Sequence, residues 1–200
     1  MKRGSAKHNS WQDHYSRRAK KDRFPARSVY KLLEIQQKYR LIQKGHRVLD
    51  LGCFPGSWLL YAAKLTGDKG RVVGIDLKPV TIQVAANIKT ITVDVHELDA
   101  GLLGNKFNVV LSDMASATTG HKAVDAARSA RLCETALSVA QSNLLSGGSF
   151  VCKIFQGTGF DQFLDSVRTG FKAQKIFKPT SSRKASKEIY IIGLGFKDKR

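Results

Sequence analysis

Apolar and polar positions along this chain of 200 residues switch repeatedly between a helical and a strand-like period. Between Arg27 and Leu41, Val29, Leu32, Leu33 and Ile35 recur at helical spacing, with Leu41 and Ile42 after a polar interval, which predicts a helix packed on one side. Short apolar runs follow. Residues 47–51, 71–76, 88–93 and 107–113 predict four strands, with a helix over 57–66 after the first. A long helix is predicted over 122–145, closed by Gly147 and Gly148. Phe150 to Phe155 predicts a fifth strand, 159–170 a helix, and 172–178 and 188–196 the last two strands. Strands alternating with helices predict an α/β fold: a mostly parallel seven-stranded sheet with helices on both faces. Ligands of such folds bind at the carboxyl ends of the strands. The organisation reads as a basic arm over residues 1–24 and one domain over 25–200, with no internal repeat.

One position breaks the apolar pattern. Lys153 interrupts Phe150-Val151-Cys152-Lys153-Ile154-Phe155, a run that otherwise reads as a fully buried strand. An ammonium in apolar surroundings is costly unless it is paired or gives up its proton. Lys153 is therefore a functional candidate; the plain alternative is a strand end that lets the side chain reach water.

Charge sharpens the picture. The formal net charge is +18, and residues 1–24 and 168–200 supply +14 of it, leaving a nearly balanced middle. Basic ends on a balanced core suggest a polyanion partner. Trp11, Tyr15 and Phe24 interrupt the N-terminal basic stretch and are candidates to stack on unpaired bases. A second basic stretch, 178–187, joins the last two strands. Cys53, Cys133 and Cys152 lack metal-ligand spacing and read as core residues of a reducing compartment. No apolar run approaches the roughly 18 residues that would span a membrane. The expectation is a cytoplasmic protein without membrane association.

Several predicted strands end in glycine or aspartate. The first runs into Asp50-Leu51-Gly52-Cys53-Phe54-Pro55-Gly56-Ser57-Trp58, where Gly52 and Gly56 permit close approach of the backbone to a ligand. The pattern is neither GxGxxG nor a phosphate-binding loop with its lysine. Asp76 ends the second strand, where a carboxylate can meet ribose hydroxyls. Asp94 follows the third, placed for an adenine amino group, with Asp99 as competitor, and Asp113 ends the fourth. Each alone reads as a cap or turn residue. Together they fit a nucleoside cofactor without a pyrophosphate, S-adenosylmethionine.

The strings VLDLGCFPGSW, GIDLKP, VVLSDMA, AVDAARSARLCETAL, LLSGGSFVCKIFQG and SSRKASKEIYIIG, with ARSVYKLLEI upstream, resemble the FtsJ/RrmJ family over residues 10–195. The resemblance implies a Rossmann-like, S-adenosylmethionine-dependent ribose 2′-O-methyltransferase. The compact length fits the bacterial members, which act on a uridine ribose of large-subunit ribosomal RNA. Matched by motif, the family's Lys-Asp-Lys-Glu tetrad falls on Lys31, Asp113, Lys153 and Glu188, and the cofactor contacts on Gly52, Gly56, Trp58, Asp76, Asp94 and Asp113. Ser57 departs from the pattern, standing where many relatives have glycine.

A ribose hydroxyl must lose its proton as its oxygen attacks, so Lys153 is expected to take that proton, with Lys31 orienting the sugar and Asp113 and Glu188 orienting the lysines. Ser112-Asp113-Met114-Ala115 is not the Asn/Asp-Pro-Pro-aromatic turn of amine methylation, and Cys152 lies inside its strand, away from a nucleophile's position. The expected partner is ribosomal RNA of the large subunit, bound by a monomer. Two other readings stay open at this point: a transfer-RNA ribose methyltransferase, and a non-catalytic RNA-binding assembly factor on the same fold.

Overall fold

The computed structural model describes residues 10–117, 119–183 and 186–198, with the side chains of 10–13 and 100 left aside. Residues 1–9 of the basic arm, Lys184 and Ala185 of the second basic stretch, and the side chain of Trp11 lie outside the described part.

The elements in chain order are α1 (Ser10–Lys21), α2 (Val29–Tyr39), β1 (Arg47–Leu51), α3 (Ser57–Thr66), β2 (Arg71–Asp76), β3 (Ile88–Thr92), a 3₁₀ turn (Val95–Glu97), α4 (Ala100–Leu103), β4 (Phe107–Ser112), α5 (Lys122–Asn143), β5 (Leu144–Phe155), α6 (Phe160–Gly170), β6 (Phe171–Phe177) and β7 (Glu188–Phe196). The strands form one sheet in the order β3-β2-β1-β4-β5-β7-β6. β3, β2, β1, β4 and β5 pair in parallel. β7 runs antiparallel between β5 and β6. The mostly parallel seven-stranded sheet expected from the alternation is present, in the Rossmann-like form that the resemblance implies.

Period-two alternation assigns each strand residue to one of two cores. Leu49, Leu51, Val110, Phe150, Cys152, Ile189 and Ile191 join α5 and α6 on one face. Val48, Leu111, Val151, Tyr190 and Ile192 join α2 and α3 on the other. The same parity turns Asp50, Asp113, Lys153 and Glu188 toward the side covered by α2 and α3. The candidate polar residues thus share one face before any tertiary contact is considered.

Two expectations need correction. The long helix ends at Asn143, not 145, and β5 begins immediately with Leu144 in extended conformation. Gly147 (φ 80°) does not cap that helix; it lies in β5, where the pairing with β4 shifts register between Phe107 and Val109. A glycine just past a helix is the usual stop signal, but its left-handed backbone serves an irregular strand entry equally well.

The second correction concerns the arm. Residues 10–21 form a helix whose Ala19 is buried against the domain. Tyr15 packs on Tyr30 at 5.3 Å between ring centroids, Arg18 lies 4.8 Å over Tyr30, and the Tyr30 hydroxyl donates to Asp22 at 2.8 Å. Phe24 packs edge-on against Tyr61. Tyr15 and Phe24 therefore serve a small core of their own rather than standing free to stack on bases.

β5 carries the most consequential side chain, so its packing matters. Phe150 is fully buried and stacks on Phe171 at 6.0 Å. Phe150→Ala is expected to lower stability by about 3–5 kcal/mol through lost contacts and a residual cavity. Urea unfolding checks this, with the midpoint falling and the slope unchanged.

Candidate active site

Lys153 lies on the central strand β5 at 7% exposure, and its ammonium is satisfied twice by one residue. Nζ donates to the main-chain carbonyl of Asp113 at 2.5 Å and lies 3.0 Å from its Oδ1. Asp113 follows β4, the parallel neighbour of β5, and its own N–H donates to Leu51 of β1 at 3.2 Å. Two adjacent strands of one sheet thus set the distance between the charges.

A second ion pair sits beside the first. Lys31, on α2, lies 2.8 Å and 2.9 Å from the two carboxylate oxygens of Glu188, the first residue of β7. These side chains are 13% and 12% exposed, so both pairs are largely desolvated. Such pairs hold where geometry is close and remaining polar positions are filled. Here Ser182 fills one, its hydroxyl donating to Glu188 Oε1 at 2.8 Å. Tyr190 fills another, its hydroxyl donating to Asp113 Oδ1 at 2.7 Å. The Lys31 ammonium also lies 5.9 Å from the Tyr190 ring centre, which links the two pairs.

The electrostatics agree with this construction. Burial alone pushes the Asp113 carboxyl up, but the ammoniums of Lys153 and Lys31 and the Tyr190 hydroxyl outweigh it and hold the group below its ordinary value. Burial, followed by the charges of Asp113 and Glu188, pushes the Tyr190 phenol well up, so it remains a donor. All four residues expected from the tetrad meet as two ion pairs bridged by tyrosine.

A cleft of about 400 Å³ opens at the carboxyl ends of β1, β2 and β4, within the size range of small-molecule sites. Gly52, Asp76, Asp94 and Met114 line it, with Arg128 and Arg131 from α5. Asp113 immediately precedes Met114, so the cleft adjoins the ion pairs along the chain. Asp94 lines this cleft and Asp99 does not; Asp99 instead caps α4 through Gly101. Gly52 has φ 78°, and a Cβ there would meet Met114 Cγ at 2.7 Å and its main chain at 2.9 Å, so this turn admits only glycine. Both oxygens of Asp76 accept rim amides, from Phe54 at 3.0 Å and Lys78 at 2.9 Å, which fixes the carboxylate while leaving acceptor positions.

Gly56 and Trp58 are placed differently. Neither lines the cleft. Trp58 is a core residue, its indole N–H donating to Ser28 O at 2.9 Å and its ring lying 5.9 Å from Tyr190. Only its main chain, in the first turn of α3, is left for a ligand. Gly56 caps that helix. Ser57, the departure from the family pattern, is buried and clamps Ala26: its hydroxyl accepts from Ala26 N at 2.8 Å and donates to Ala26 O at 3.1 Å.

Sequence reasoning passed over Asp50, Tyr190 and Ser182. Asp50 is fully buried on β1, and neither carboxylate oxygen has a hydrogen-bond partner among the described residues. Burial, then the charges of Asp113 and Asp76, raises its carboxyl well above the ordinary range. The signal was available: a charge inside an apolar run, as at Lys153. The glycine turn and the two rim carboxylates fit a ligand carrying a ribose; Asp50 is fully buried and does not itself line the cleft. Tyr190 and Ser182 carried no comparable signal, because a tyrosine in a strand and a serine in a loop are unremarkable residues.

Comparison with known proteins fits this geometry. The family model for FtsJ-like methyltransferase matches residues 24–196. The chain belongs to that family. It is therefore a methyltransferase, an enzyme of a class that generally uses S-adenosylmethionine. It is similar to "Ribosomal RNA large subunit methyltransferase E" of Desulforapulum autotrophicum, 56% identical over 198 residues and 98% of each chain. The protein of that name from Desulfatibacillum aliphaticivorans is 54% identical, covering 92% of this chain and 91% of that one. Among solved structures, a Plasmodium falciparum protein described as a ribosomal RNA methyltransferase superposes with a TM-score of 0.76 at 26% identity, covering 86% of this chain and 98% of that one.

The Asp50 carboxyl makes a specific prediction for this FtsJ-like enzyme. A raised folded-state pKa gives stability that is present below the ordinary carboxyl value of about 4 and is lost as pH rises toward the folded value. Asp50→Asn removes that dependence. Its stability relative to the parent should therefore increase as pH rises above the ordinary carboxyl value of about 4, followed by urea unfolding. A difference independent of pH would show that Asp50 does not hold its proton in the folded protein.

Proposed function

We propose that this enzyme transfers a methyl group from S-adenosylmethionine to the 2′-hydroxyl of a uridine ribose in 23S ribosomal RNA of the large subunit. The observation that carries the reading is the pairing of Lys153 with Asp113 and of Lys31 with Glu188 beside a cleft with a nucleoside-like set of carboxylates. The shared name of the relatives, a large-subunit ribosomal RNA methyltransferase, supports the substrate. The reading includes a monomer working in the cytoplasm.

Asp76 and Asp94 would hold the ribose and base of the cofactor, and Gly52 would admit its backbone-close portion. When bound, S-adenosylmethionine supplies a methyl on a positively charged sulfur. The protein's remaining task is the proton on the sugar oxygen. Lys153 has three hydrogen-bonding positions, and Asp113 occupies two of them. Once the ammonium has released one proton to water, the lone pair left at the third position accepts the hydrogen bond of the 2′-hydroxyl. The sugar proton passes to it as the oxygen attacks the methyl, restoring the ammonium. Lys31, held by Glu188, orients the ribose from the opposite side. Because each cation is matched by an anion, the tetrad is neutral overall, and the attraction for RNA comes from elsewhere on the surface. Arg17, Arg18, Lys20 and Lys21 on α1 and Lys178, Arg183 and Lys187 between β6 and β7 provide it, through phosphate contacts that weaken with salt.

The test uses labelled methyl transfer to large ribosomal subunits from cells lacking this protein, with transfer RNA in parallel. Lys153→Ala should lose about 10²–10⁴-fold in turnover while still binding S-adenosylmethionine by calorimetry. Lys153→Arg keeps the charge but cannot shed its proton, and should be equally inactive. Label in transfer RNA alone would overturn the substrate. Near-normal turnover of either variant would remove Lys153 as the base.

A further inference from the structure

The connection between β6 and β7 is rich in cations, yet its middle is tucked inward: Ser181 and Ser182 are only 3% and 4% exposed. One carboxylate accounts for this. Glu34 Oε2 accepts from Thr180 N at 2.6 Å and from the Thr180 hydroxyl at 2.9 Å. Its Oε1 accepts from Ser181 N at 2.9 Å. A carboxylate that accepts three hydrogen bonds from two successive residues fixes both position and direction of that segment.

Glu34 lies on α2 three residues after Lys31, so the two side chains leave the same side of the helix one turn apart. The next residue of the held segment, Ser182, donates to Glu188, and Glu188 pairs with Lys31. The contacts therefore close a ring: from Lys31 along α2 to Glu34, across to Thr180 and Ser181, along the chain to Ser182, then through Glu188 back to Lys31.

We infer that Glu34 is a positioning residue for methyl transfer, pinning the β6–β7 connection to α2 so that Lys31 and Glu188 stay aligned. It acts through Ser182 and Glu188 and touches neither the cleft nor Lys153. The same pin fixes where the loop presents Arg183 and Lys187, so the grip on RNA phosphates and the alignment of the sugar-orienting lysine share one anchor. A sub-ångström error in such alignment costs turnover rather than binding.

The inference rests on the ribose-methylation reading, and the experiment separates the two. Glu34→Ala should speed amide hydrogen exchange at Thr180 and Ser181 and lower kcat on ribosomal RNA about tenfold, with S-adenosylmethionine affinity unchanged. Glu34→Gln retains one accepting oxygen and should recover part of the kcat. Ser182→Ala cuts the ring at its other end and should reproduce the kcat loss without altering exchange at Thr180; it also decides the matter if Glu34→Ala does not fold. An unchanged kcat in Glu34→Ala or in Ser182→Ala would overturn the inference. So would a loss confined to KM for RNA, or one accompanied by equally weakened cofactor binding. A parent enzyme inert on ribosomal RNA would instead refute the ribose-methylation reading, while the exchange rates still judge the pin.

Discussion

A positive charge on a central strand is tolerable only if the fold supplies its counter-charge at a fixed distance. β4 and β5 do so by lying parallel and adjacent, which sets the carboxylate and the carbonyl of Asp113 against Lys153. Losing either partner would leave the other buried and unpaired, at a cost of about 3–5 kcal/mol. The pair therefore constrains the rest of the molecule. β5 must lie inside the sheet beside β4, and β4 must end where it ends, so that Asp113 follows in register opposite Lys153.

The helices on this face follow from the same demand. α2 and α3 cover the strands whose alternate positions are Val48, Leu111, Val151 and Tyr190, and the polar residues emerge where that apolar cover stops. Ser57 ties the approach to α2 onto the first turn of α3, and Trp58 ties α3 to Ser28. Lys31 thus reaches Glu188 from a helix anchored at its start and, through Glu34, along its length. The N-terminal helix adds to this cover through Ala19, Tyr15 and Tyr30 while keeping most of its cations outward.

Much of this was legible in the residues, for identifiable reasons. Most strand boundaries came within a residue or two because the apolar runs are short and bounded by glycine, aspartate or charge; β5 is the exception, beginning at Leu144, six residues before its expected start. Lys153 announced itself by breaking such a run. Asp50 broke one too, but in company with a glycine-rich turn it read as part of a motif rather than as a buried acid. Gly147 misled because a left-handed glycine serves a strand irregularity as readily as a helix end. Tyr15 and Phe24 misled because an aromatic among cations resembles a stacking platform, whereas the partners that bury them, Tyr30 and Tyr61, lie elsewhere in the sequence. Trp58 could not be oriented without knowing that α2 lies over it. What sequence lacks in each case is the long-range neighbour.

β7 is the latest strand in the chain, yet it inserts between β5 and β6 and delivers both Glu188 and Tyr190 to the ion pairs. Earlier segments can build the cleft, since its lining runs only from Gly52 to Leu132. The cleft is thus drawn from earlier parts of the chain, whereas Glu188 and Tyr190, which hold the two lysine–carboxylate pairs together, come from its last strand. The two ion pairs are complete only once this last strand is inserted.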